Sequence, residues 1–123
     1  MCIRDSARPP PAFSVGHSVD WKAADALLAG SDAWYSVAAG TFPAACLALS
    51  NAAQAGDTHE AHALDARLQP LWDLFVEFSS LRVVHAAASR MGLCRGEPPR
   101  PLLPLSGNAQ DRIMRTVEEL GLA

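Results

Sequence analysis

Three ligand-type side chains crowd one short stretch, His59, Glu60 and His62. Metal-dependent hydrolysis needs two histidines four residues apart on one helix, with a glutamate directly after the first. Here the histidines are three apart at a helix start, and no third ligand is evident, so a solvated helix face explains the cluster better. Cys2, Cys46 and Cys94 are widely spaced and odd in number. That excludes a disulfide framework and a zinc site, and leaves reduced thiols in a core. No metal and no cofactor is implied. His17 closes an apolar run, where packing or a hydrogen bond is the ordinary role. His85 falls in an alanine-rich helix and is expected to be buried or interfacial. Lys22 is the only lysine and Tyr35 the only tyrosine.

The elements that must position these residues follow from periodicity and punctuation. Ala12–His17 is short, apolar and partly β-branched or aromatic, which predicts a strand. Ser18 is placed to cap a helix opening with Asp20 near its positive end and closing at Gly30. Ala33–Ala38 reads as a second strand with Gly40 and Thr41 in its turn, and Pro43 suits the first turn of a helix reaching about Ala55. Thr58 caps a third helix, His59 to about Phe78, whose Ala61, Leu64, Leu68, Leu71, Leu74 and Phe75 keep helical spacing. Pro70 inside it is expected to kink it. Ser79 or Ser80 caps a fourth helix over about Leu81–Met91. Gly96–Pro104 is a proline-rich loop. Asn108 and Asp111 resemble a capping pair for a last helix ending at Leu120 and Gly121.

A strand, a helix and a strand followed by four helices is α/β order with a right-handed crossover. Two strands alone cannot make a buried parallel sheet, so the pattern implies further strands beside them. Half the residues are hydrophobic and 19% charged, a globular composition. The net charge of -3 argues against a nucleic-acid partner and against an anionic membrane surface. Ala33–Gly56 carries no charge and is long enough to span a bilayer, but its polar residues and Pro43 favour a buried strand and helix, so no membrane is expected. Met1–Ser6 (MCIRDS) lacks the apolar run of a secretory signal and resembles a translated sequencing-adapter run rather than a native start.

Several short motifs in order carry a family resemblance. Ser36-Val37-Ala38-Ala39-Gly40-Thr41-Phe42-Pro43 resembles the "SV-x-x-N-x-x-P" turn after the last barrel strand of the dihydrodipicolinate synthase / N-acetylneuraminate lyase family. Leu28-Ala29-Gly30 resembles the helix end before that strand. Ala53-Gln54-Ala55-Gly56-Asp57 with Glu60-Ala61 resembles its "A-x-x-GD-x-x-x-A" connection. Leu68-Gln69-Pro70-Leu71 with Leu74-Phe75 is similar to its "L-x-P-L-x-x-x-LF" helix, Leu81–Leu93 to its helix ending in "GL", and Arg100–Leu105 to its "R-x-P-L-x-PL" loop, one residue shorter. The closing Leu120-Gly121-Leu122 fits as well. The resemblance spans about Phe13–Ala123.

The resemblance implies a (β/α)8 TIM barrel followed by a helical C-terminal extension. In that frame 1–11 is a non-native or extended lead-in, 12–56 supplies the last two β/α units, and 57–123 is the extension. A whole barrel takes roughly 250 residues, so the expectation is a C-terminal fragment of a cytoplasmic homotetramer. The implied chemistry is a class I aldolase-type lyase or synthase: a lysine forms a Schiff base with pyruvate or a related 2-oxo acid, and the iminium acts as an electron sink. A tyrosine on the preceding strand relays protons. Both fall upstream of this segment, so no catalytic residue maps here. Lys22, on a helix outside the barrel, is a solvated charge, and Tyr35 beside Trp34 is expected in packing. The strand ends place Ser18, Asp20, Gly40 and Thr41 as substrate-binding candidates. Asp20 serves equally as a helix N-terminal charge. Ser18-Val19 stands where the family often has Gly-Asp, and Gly40 where it often has asparagine, so substrate preference is expected to differ. The isolated chain is expected to be inactive and poorly soluble, with Val15 and Val37 lacking barrel partners. The competing expectation is a stand-alone helical interaction or oligomerisation module.

Overall fold

The computed structural model describes residues 10–123. Nearly all of the 1–11 lead-in, including MCIRDS and Cys2, lies outside the described residues. Strand β1 (Gly16–Ser18) passes through a 3-10 turn (Asp20–Lys22) into helix α1 (Ala23–Leu28). Strand β2 (Ala33–Tyr35) follows, then a second 3-10 turn (Ala38–Gly40) and helix α2 (Pro43–Gln54). Helices α3 (Thr58–Phe78), α4 (Ser80–Arg90) and α5 (Asn108–Glu119) complete the chain. The strands are parallel, in a register that sets Gly16 against Ala33, His17 against Trp34 and Ser18 against Tyr35.

The strands are shorter than the apolar runs that announce them. Ala12 has a positive φ of 68°, and Phe13 is well exposed, so the segment before Gly16 does not pair. Instead the Val15 amide donates to Asp32 Oδ2 at 2.8 Å, and the Asp32 amide donates back to the Val15 carbonyl. The first helix opens without the expected Ser18 cap. Val19 intervenes at φ 108°, ψ 95°, and no side chain caps the turn at Asp20. Downstream, Pro43 does sit in the first turn of α2, where its missing N–H costs nothing.

The cap of α3 is Asp57 rather than Thr58: its carboxylate accepts from the Glu60 amide at 3.0 Å. Aspartate serves here for the usual reason, a side-chain acceptor for an orphan amide at the positive helix end. Pro70 stands inside α3, which is continuous from Thr58 to Phe78. Gly107, at φ 55°, takes the cap position of α5, and Asn108 is its first residue.

Two apolar clusters hold these elements. The larger gathers Phe42, Cys46, Leu71, Trp72, Phe75, Val83, Ile113 and Val117 from all four long helices. The smaller packs Ala23, Ala24 and Leu27 of α1 against Leu49 and Ala53 of α2 and Ala61 of α3. Trp34 touches both, which pins one face of the sheet to the helices. Trp72 is fully buried and its indole N–H donates to Asp65 Oδ1 at 3.0 Å, giving the one polar atom of that side chain a partner. On the outside, Arg112 of α5 grips Glu77 of α3 through two bonds of 2.7 Å and lies over the Phe78 ring.

The opposite face of the sheet is open. Tyr35 is 65% exposed, against the expectation that it packs. Its ring lies across Gly16, where a Cβ would collide with it. Val15 and Val37 are each half-buried, against the expectation that they lack partners, and the exposed strand residues are Tyr35 and Ser18.

Two outcomes follow. Asp57→Ala should lower stability by about 1 kcal/mol, read from urea melts of the chain. Burial pushes the Cys46 thiol up from 9.0 to about 11, helped by the nearby Asp20 charge and opposed by the Ser36 hydroxyl. The folded state therefore keeps a proton that the unfolded chain releases. Stability from this group is complete below pH 9 and is lost as pH rises through 11. Thermal melts of the chain should fall across that window, and Cys46→Ala should flatten this part of the profile.

Candidate functional site

Because β1 and β2 run parallel and in register, their C-terminal ends lie side by side. The loop Val19–Asp20 therefore adjoins the turn Ser36–Thr41. Asp20 is only 2% exposed, the one buried charged or polar residue among those described. Its Oδ1 accepts from Ser36 Oγ at 2.6 Å and from the Val37 amide at 3.2 Å, while Oδ2 lies 3.3 Å from the same amide. Ser36 Oγ in turn accepts from the Ala39 amide at 3.0 Å, and Cys46 Sγ lies 3.8 Å from it. A buried carboxylate left without partners would be costly. These bonds satisfy it and tie the two strand-end loops into one rim.

The four candidates from the sequence thus come together, with unequal access. Ser18 and Gly40 are exposed on the rim, Thr41 is half-buried, and Asp20 lies beneath them. Asp20 is not a solvated helix-end charge; it opens a 3-10 turn with its carboxylate turned inward on the second loop. The sequence pattern did not assign a role to Ser36. Its place in the turn after β2 and its sixteen-residue offset from Asp20 become meaningful only once the strands are paired.

The remaining candidates lie apart from the rim. Lys22 is exposed at the end of the 3-10 turn. His59 and Glu60 are exposed at the start of α3, and His62 Nε2 lies 3.3 Å from Asp25 Oδ1 on the surface. Among the described residues no group of three or more His, Cys, Asp or Glu side chains could hold a metal ion. His17 is half-buried, on the helix-covered face, with Nε2 buried and without a hydrogen-bond partner, as is Trp34 Nε1. His85 borders a cleft of about 310 Å³ between α4, the proline-rich loop and α5. Beside the rim, a cavity of about 280 Å³ runs from Thr41 and Phe42 past Leu64 and Leu68 to Leu122. Arg67 borders it and donates to the Leu120 carbonyl at 3.2 Å. No described helix is long and apolar enough to cross a membrane.

The arrangement offers small polar groups at adjoining strand ends and, among the described residues, no amine within the rim. Comparison with known proteins agrees with the motif pattern. The Dihydrodipicolinate synthetase family model matches residues 3–120. A 4-hydroxy-tetrahydrodipicolinate synthase of Alcanivorax borkumensis is 41% identical over 104 residues, covering 84% of this chain and 35% of that protein. A crystal structure of dihydrodipicolinate synthase from Agrobacterium tumefaciens superposes with a TM-score of 0.86 at 50% identity, covering 90% of this chain and 37% of the other. The chloride-inhibited dihydrodipicolinate synthase of Acinetobacter baumannii, solved with pyruvate, superposes with a TM-score of 0.82 at 25% identity, covering 90% of this chain and 38% of that one. The chain thus spans little more than a third of these relatives. On the family match over nearly its whole length, it belongs to the dihydrodipicolinate synthetase family of lyases and synthases.

Proposed function

We propose that the chain is the C-terminal part of a pyruvate-dependent Schiff-base lyase or synthase, contributing residues 12–56 as the last two β/α units of a (β/α)8 barrel and residues 57–123 as a helical extension. The observation that carries this reading is the parallel β1–α1–β2 unit with its helix-covered face, its open face, and its two strand-end loops bonded into one rim. In barrels of this kind, chemistry sits where strands end. Ser18, Gly40 and Thr41 line the substrate side of that rim, with Asp20 at its base.

The electrophile-forming amine belongs to the part of the barrel this chain does not span. Lys22 is exposed on the turn leading into α1, away from the rim. A lysine and a proton-relaying tyrosine on upstream strands supply the iminium and its proton traffic, and this chain closes the pocket. Tyr35 is not that relay: it lies across Gly16 and belongs to the face that the other strands cover. The whole protein takes pyruvate or a related 2-oxo acid, works in the cytoplasm, and assembles as a homo-oligomer.

The test compares two proteins. The 123-residue chain treated with pyruvate and borohydride should show no adduct by mass spectrometry. Fused behind the upstream part of the Alcanivorax borkumensis relative, it should complete a barrel that traps pyruvate on an upstream lysine. An adduct on Lys22 would overturn the reading. So would a folded hybrid that traps nothing.

A further inference from the structure

Val19 carries a φ of 108°, a region that a β-branched residue enters only under strain. Such a conformation persists where its surroundings over-determine it. Here the neighbour that does so is Asp20. Its buried carboxylate is bound to the far loop at 2.6 Å and 3.2 Å, and the Lys22 amide closes the turn on the Val19 carbonyl at 3.1 Å. The same carboxylate reaches Ala39 through Ser36 Oγ, so the start of the Ala38–Gly40 turn hangs from it as well. With its acceptors engaged inside the protein, Asp20 is turned away from solvent and from any ligand on the rim.

We infer that Asp20 is a positioning residue that acts through Ser36, holding the strained Val19 loop and the Gly40–Thr41 turn in one geometry without touching substrate. The part of this inference that concerns substrate rests on the proposed Schiff-base reading; the part that concerns the loops stands without it. Loss of the carboxylate removes the acceptor of the Ser36 O–H and the Val37 amide and lets Val19 relax. Asn at this position keeps one acceptor oxygen for Ser36, so it restores the link in part.

Two measurements decide it. In the 123-residue chain, Asp20→Ala and Ser36→Ala should each speed hydrogen exchange at the Val37 and Ala39 amides by about tenfold. Exchange at Ile113 and Val117 should not change, and Asp20→Asn should recover most of the protection. Uniform acceleration across all helices, or none at Val37 and Ala39, overturns the inference. In the hybrid barrel, Asp20→Ala should raise the KM for the partner of pyruvate, with the rate of borohydride-trapped pyruvate adduct unchanged. A fall in the rate of adduct trapping, with KM unchanged, would assign Asp20 to general folding and overturn its positioning role. A wild-type hybrid that traps no pyruvate defeats the Schiff-base reading alone, and the exchange data then decide the inference.

Discussion

A buried carboxylate between two strand ends organises the loops on that side of the molecule. Among the described residues no cation pairs with Asp20, and its partners are a hydroxyl and a backbone amide of the other loop. Hydrogen bonds to an ionised acceptor are worth roughly twice those between neutral groups, and their loss strands every partner at once. That single cluster explains why the loops adjoin in one geometry and why Val19 tolerates a left-handed backbone.

The helices make that geometry affordable to hold. Trp34 anchors the strand pair to both apolar clusters, and α3 runs beneath as a long brace with Trp72 and Phe75 at its centre. Burying large aromatic and aliphatic side chains is the main favourable term in such a fold, at about 25 cal/mol per Å². The surface pair Arg112–Glu77 adds direction between α3 and α5 more than energy, because exposed ion pairs are screened by solvent. The open sheet face has no such cover. Its exposed Tyr35 lies on a two-stranded sheet with no further described strand beside it.

Much was legible from local signals because local chemistry decides it. Pro43 at a helix start and Gly30, Gly56, Gly92 and Gly121 beyond helix ends each need only their own backbone to explain them. The apolar spacing of α3 and the proline-rich loop were equally plain. Caps were less so: Asp57 won over Thr58, and Gly107 over Asn108, because neighbouring residues of similar capping aptitude compete and one residue of register decides between them. Strand lengths were overestimated, since Ala12 turns at a positive φ and Val37 is already helical in φ and ψ, and periodicity does not report that.

The candidate rim divides the same way. The sequence by itself determined that Ser18, Asp20, Gly40 and Thr41 follow two strands of one βαβ unit, and its ordered motifs determined the family. Only the tertiary structure decided their separate roles. Pairing the strands in register brought residues sixteen positions apart within 2.6 Å, turned Asp20 inward, and left Ser18 and Gly40 facing outward. The reason is physical: a hydrogen bond across a crossover depends on strand register and helix packing, which no run of neighbouring residues encodes alone.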